Sequence, residues 1–251
     1  MKKLKIRGLH GHVIDEIGKR IVSGEFAAGT ALPGEMQLCE LLGISRTALR
    51  EALRVLSSKG LVKAKQKVGT RVCSAERWNY LDADILSWQL ATDDSGQLIE
   101  ELYELRHLIE PMAASLAACN ARAADIKVLR EAYQQMLAAG DDGEKIAAPD
   151  VLFHQAIIAA SGNRLFSALA RVVGAALAVN FDFVREAPRG HAFLMPAHKQ
   201  VLDAIENRDS SAARLAMQKL IEVSQREAQA LHRPTPQRIK VASSRKSARG
   251  R

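Results

Sequence analysis

Apolar residues recur at helical spacing along most of the chain. From Leu9 the positions Val13, Ile17, Ile21 and Val22 fall on one helical face, and Gly24 stops the pattern. After the turn-rich run GEFAAGTALPGE a second helix is expected from about Gly34 to Leu42, with Met36, Leu38, Leu41 and Leu42 supplying its apolar contacts. Gly43 ends it. Ser45 then suits an N-cap, because its hydroxyl can accept from an otherwise unpaired N–H of the helix RTALREALRVLSSKG. That helix turns Leu49, Leu53 and Leu56 inward, leaves Arg46, Thr47 and Arg50 near its N-terminal end, and stops at Gly60.

The segment LVKAKQKVGTRVC predicts two short strands, Leu61–Ala64 and Thr70–Cys73, joined by a basic loop containing Gly69. A hairpin directly after such a helix-turn-helix is a wing. Beyond Cys73 the run SAERWNYLDADILSWQLATDDSG holds both tryptophans and predicts a linker with a short helix at about Asp82–Gln89. The remainder reads as helices near 95–120, 124–139, 144–161, 164–186, 192–207 and 209–231, broken at GDDG, SGN and EAPRG. Ala- and Leu-rich composition with few β-branched runs predicts an antiparallel bundle. The fold class is therefore mainly α: a winged helix-turn-helix over 1–74, a linker and short helix over 75–94, an all-helical domain over 95–231, and a basic, disordered tail over 232–251.

Charge sharpens this division. The net charge is +8 over residues 1–74, −7 over 75–231 and +7 over 232–251. A compact basic module beside an acidic one implies that the first meets a polyanion. The three cysteines, Cys39, Cys73 and Cys119, lack any CxxC spacing and read as reduced, mostly buried thiols. The basic start MKKLKIRGLHGH lacks an apolar h-region, and no run reaches the ~20 apolar residues of a membrane span. A cytoplasmic location is expected.

A recognition helix enters the major groove by its N-terminal turns, so long donors belong there. Arg46 and Arg50, four apart, can contact guanine or phosphate, while Ser45 and Thr47 suit phosphate oxygens. Lys65, Gln66 and Lys67 in the wing loop are placed to reach the adjacent groove. In the bundle, Asp150 and His154 project from one helical face, able to share a cation or simply a hydrogen bond. Arg106 suits either a carboxylate ligand or an ion pair with Glu110. Asn163, after Ser161 and Gly162, is explained by an N-cap. No general base, phosphate loop or nucleophile motif accompanies these groups. That weighs against a metal-dependent enzyme with a DNA-binding appendage, and an unspecific architectural protein is the remaining alternative.

The run GEFAAGTALPGEMQLCELLGISRTALREALRVLSSKGLV, closing with VGTRV, resembles the GntR family of bacterial regulators. That resemblance implies DNA contacts from Arg46, Thr47 and Arg50, with Glu35 placing the second helix, and it departs at Met36, where many members carry a basic residue. The segments ELRHLIEP, DVLFH, SGN and AHKQVLDAI, in that order, resemble the FCD ligand-binding domain of the FadR subfamily. The likeness implies a divalent metal ion (zinc, nickel or manganese) on Asp150, His154 and His198, with Leu220 where a fourth ligand is expected. It further implies that Arg106 binds a small organic acid effector, and that a homodimer reads a palindromic DNA operator. RWNYLDADILSWQL is most similar to the galactonate-type branch of sugar-acid-responsive repressors, so the resemblance implies a repressor that such an acid releases from DNA.

Overall fold

The computed structural model describes residues 9–65, 69–92, 96–184 and 192–232. The winged module consists of α1 (Leu9–Val22), α2 (Glu35–Leu42), α3 (Arg46–Ser58) and the antiparallel strands β1 (Val62–Lys65) and β2 (Gly69–Val72). Its core gathers Val13, Ile17 and Ile21 of α1 with Leu38, Leu49 and Leu56. Gly43 closes α2 in the left-handed region, at φ 63°, which turns the chain into α3 within two residues. Ser45 caps α3 as its position predicted, Oγ accepting from the Ala48 amide at 3.2 Å.

Several expectations need correction. The ladder runs from Val62 opposite Val72 to Lys65 opposite Gly69, one residue nearer the loop than expected on both strands. Leu61 is the junction: its amide donates to Leu56 O at 3.0 Å and so closes α3, while its carbonyl accepts from the Cys73 amide at 2.8 Å. The turn-rich run before α2 also adds an edge to the wing: the Leu32 amide donates to Thr70 O and the Val72 amide to Thr30 O, with Ala31 bridging Arg71. Met36 and Leu41 are 61% and 57% exposed instead of packed. An eight-residue helix buries one narrow stripe, and Leu38 occupies it. In α3, Leu53 is half-buried and Ala52 takes the fully buried position. The cysteines are free thiols, but Cys119 is exposed, at the outer end of its helix.

The expected linker helix is α4 (Ala83–Leu90), preceded by a 3₁₀ turn at Ala75–Arg77. It is a wedge with two apolar faces. Ile85 and Trp88 complete the core of the winged module, whereas Leu86 and Leu90 pack with Leu102 and Val172 of the bundle. Its N-cap Asp82 accepts from the amides of Asp84 and Ile85 and also receives Lys59 Nζ at 2.6 Å. Just after α3, Gly60 has φ +83°, and a Cβ there would lie 2.0 Å from the Arg77 carbonyl oxygen. Only glycine lets the linker backbone press against that helix end.

The bundle comprises α5 (Gly96–Asn120), α6 (Ala123–Ala139), α7 (Gly143–Ala160), α8 (Arg164–Val184), α9 (Met195–Glu206, entered through a 3₁₀ turn at Ala192–Leu194) and α10 (Ser210–His232). These bounds lie within three residues of those the periodicity predicted. The small residues Ala113, Ala114, Ala117 and Ala118 line the inner side of α5 and let its neighbours α7 and α10 approach closely. Asn163 is the α8 cap, Oδ1 accepting from the Leu165 and Phe166 amides at 2.9 and 3.3 Å. The EAPRG break and the tail beyond His232 lie outside the described residues. None of the described helices is long and apolar enough to cross a membrane.

Candidate functional site

The first candidate surface is the front of α3. The cap formed by Ser45 fixes where the helix begins, and the buried Ala48, Leu49, Ala52 and Leu56 fix which side faces inward. Ser45, Arg46, Thr47 and Arg50 are left exposed. Arg50 reaches back to α2, its Nε and Nη2 lying 3.2 and 3.1 Å from Glu35 Oε2. An exposed pair of this kind is worth about 0–1 kcal/mol, so a phosphate or base edge can replace it at low cost. Arg46 Nη2 rests 3.8 Å from Met36 Sδ. On the wing, Lys65 is exposed, while Gln66 and Lys67 lie outside the described residues. Sequence reasoning missed that Lys63, Arg71 and Arg77 join Lys65 along one groove, whose described lining carries no acidic side chain. The alternation that puts Lys63 and Lys65 on one face of β1 was the available signal.

The second candidate site is buried in the bundle. α5 contributes Arg106 and Glu110, α7 contributes Asp150 and His154, and α9 contributes His198. All five are at most 6% exposed. Spacing of four residues along α5 and along α7 puts each pair on one face. One donor atom from each of Asp150, His154 and His198 lies within 4.8 Å of the others. His198 Nε2 sits 2.9 Å from Asp150 Oδ1 yet has no aligned hydrogen-bond partner, and His154 Nε2 is 4.0 Å from the same oxygen.

The far nitrogens are both committed. His198 Nδ1 lies 3.0 Å from Leu194 O, a carbonyl that can only accept. When the ring is neutral its lone pair is then on Nε2, and when the ring is protonated Nε2–H faces Asp150 Oδ1. His154 Nδ1 is in a short contact with Glu110 Oε2. Phe153, itself part of the apolar core of the bundle, packs edge-on against both rings. Two imidazole lone pairs and a carboxylate converging in a buried space suit a divalent first-row cation. Leu220, at the expected fourth position, is 1% exposed and packs in the apolar core, so this residue offers no donor.

Arg106 Nε bonds Glu110 Oε1 at 2.6 Å, and its guanidinium lies 5.1 Å from the Tyr103 ring centre. Tyr103 in turn bonds Ser224 of α10 at 3.0 Å. Both readings of Arg106 therefore keep a foothold: the ion pair forms, and Nη1 stays buried without a partner. Burial alone would push the Glu110 carboxyl up, but the Arg106 and His154 side chains outweigh it and hold Glu110 at about 2. Burial acts likewise on Asp150, and the His198 and His154 rings bring it below the usual carboxylate range. Glu110 is the residue sequence reasoning undervalued: it was weighed only as the partner of Arg106, and its contact with His154 spans 44 positions between two helices.

Comparison with known proteins gives these two sites a context. Residues 9–72 match the family described as bacterial regulatory proteins, gntR family, and residues 101–223 match the FCD domain. The chain is 33% identical over 218 residues to the galactonate operon transcriptional repressor of Escherichia coli K12, covering 85% of this chain and 94% of that protein. It is 31% identical over 222 residues to the Uxu operon transcriptional regulator of the same organism, covering 82% and 81%. The solved structure of E. coli McbR/YncC superposes with a TM-score of 0.55 at 19% identity, over 91% of this chain and all of that one, which is a likeness of fold.

Proposed function

This chain belongs to the gntR family of bacterial regulatory proteins and carries an FCD domain, which makes it a DNA-binding transcription regulator and not an enzyme, and we propose that it is a repressor released from its operator by a sugar acid. In this reading residues 1–74 bind DNA, residues 95–231 bind the effector, and α4 joins the two. The observation that carries the DNA half is the exposed row Ser45, Arg46, Thr47 and Arg50 on a helix whose opposite face is locked in the core. Arg46 and Arg50 would meet base edges, at about 1–3 kcal/mol of discrimination for each good bidentate pair. Ser45, Thr47 and the wing lysines Lys65 and Lys67, with Gln66, would position the phosphates. Two copies of the chain would present two such helices to the halves of a palindrome.

The sensing half rests on the buried polar cluster. Asp150, His154 and His198 would hold a divalent cation, whose chemistry is to bind and polarise a carboxylate or hydroxyl oxygen of the effector. Arg106, with Nη1 buried and unpartnered, supplies a second anchor for an anion. A galactonate-type acid carries the carboxylate and hydroxyls such a site can take. A ligand shifts an equilibrium only by its differential affinity, so the acid must favour the DNA-free arrangement.

The test is a footprint and anisotropy titration on DNA fragments selected by the wild-type protein, with and without galactonate and related acids. Wild-type protein protects a palindrome and is displaced by one of the acids. Arg50→Ala loses the footprint while its thermal shift with that acid persists. A normal footprint by Arg50→Ala would overturn the DNA assignment, and indifference to every acid would overturn the effector class. Equal affinity for selected and scrambled DNA would point to an unspecific architectural protein instead.

A further inference from the structure

Glu110 is wholly buried, and its two carboxylate oxygens serve two different groups: Oε1 holds Arg106 Nε at 2.6 Å and Oε2 meets His154 Nδ1. An ionised carboxylate can only accept, so a neutral His154 ring facing it carries its proton on Nδ1 and its lone pair on Nε2. The lone pair therefore lies on the nitrogen grouped with Asp150 and His198. His198 reaches the same state by a different device, donating Nδ1–H to the Leu194 carbonyl. On the other oxygen, Arg106 is held through Nε, so the atom left without a partner is Nη1.

We propose that Glu110 is the positioning residue of the buried site: it sets the tautomer of His154 and the orientation of Arg106 together, so that cation affinity and anion affinity both depend on one carboxylate that need touch neither ligand. The cation half rests on the reading of the site given above, and the tautomer half does not. A carboxylate behind a ligating histidine raises its basicity and fixes its ring, and removing such a partner costs about 10–100-fold in metal affinity. Pro111, directly after Glu110, removes one backbone donor from α5 beside this junction, and Pro149 does the same in α7 immediately before Asp150.

The experiment uses the full-length chain, zinc alone as the probe, and histidine labelled with ¹⁵N. Competition against a chromophoric chelator gives zinc affinity for wild type and Glu110→Gln. Glutamine keeps the volume but offers an amide donor as well as an acceptor, so Nδ1 of His154 is no longer obliged to donate. The expected result is a 10–100-fold weaker zinc complex, with His154 moving from the Nδ1–H form to a mixture of tautomers. His198 keeps Nδ1–H and serves as the internal control. A purely structural role would lower the melting temperature without moving the tautomer. Unchanged zinc affinity in a folded Glu110→Gln protein would overturn the proposal. So would an Nε2–H form of His154 in metal-free wild type, a measurement that needs no variant to fold. Failure of wild type to bind zinc would overturn the cation reading, while the tautomer would still decide the role of Glu110.

Discussion

Lys59 places its ammonium 2.6 Å from Asp82 and 3.0 Å from Asp84, tying the residue that ends α3 to the first turn of α4. The lysine side chain is only 10% exposed. Lys59→Met is expected to withdraw this ammonium from both carboxylates. The loss should be about 1–3 kcal/mol, less than the ~3–5 kcal/mol of a fully buried pair because both carboxylates keep some access to water. Urea denaturation of the full chain measures it, and a cost near zero would show that the pair does not secure α4.

The same lysine gives a pH signature. Burial would lower its pKa, but Asp82 and Asp84 outweigh burial and raise it above the usual lysine value. A group raised on folding contributes in full below its unfolded value, about 10.4, and the contribution fades as pH climbs through the raised folded value. The stability advantage of wild type over Lys59→Met should therefore be full at about pH 9 and shrink as the pH rises past the unfolded value and through the raised folded one. Comparing the two proteins in parallel denaturation series cancels the other alkaline titrations.

Gly18 of α1 touches the Trp88 indole so closely that an added Cβ would lie 2.5 Å from two ring carbons. Gly18→Ala should displace the ring and cost about 1–3 kcal/mol, as overpacking does. A shift in tryptophan emission with a lowered unfolding midpoint is the expected readout. An unaltered spectrum and midpoint would mean that the contact between α1 and α4 yields freely.

Ser45→Ala removes the acceptor for the Ala48 amide and should cost about 1 kcal/mol. Ser45→Asn, also a capping residue, should restore most of it. If Ala and Asn variants melt alike, the cap contributes nothing to the fold of α3.

The longer helices were legible because their apolar faces repeat over many turns, as in α5, α7 and α10. The short α2 was read less well: four apolar residues in eight positions cannot all face the same neighbour, and the periodicity gives no preference between Leu38 and Leu41. The Asp150 and His154 pair could be read from spacing along one helix, and His198 came only with the family resemblance. Glu110 behind His154 could not be found that way, nor could Lys59 between Asp82 and Asp84. These contacts join separate elements, so no residue interval announces them. The double face of α4 was hidden for a related reason, since eight residues apolar on two sides look like a buried segment of either neighbour.

The tight seat of Gly60 against the Arg77 carbonyl carries a mechanical implication. With no room for a side chain there, and with Trp88 packed into the winged core, α4 and the segment before it are tied to the reading head at two places. The other face of α4 sets Leu86 and Leu90 against Leu102 and Val172, with Leu98, Ile99, Leu105 and Ala175 around them, so a reorientation of the head against the bundle would have to shear or repack this apolar seam.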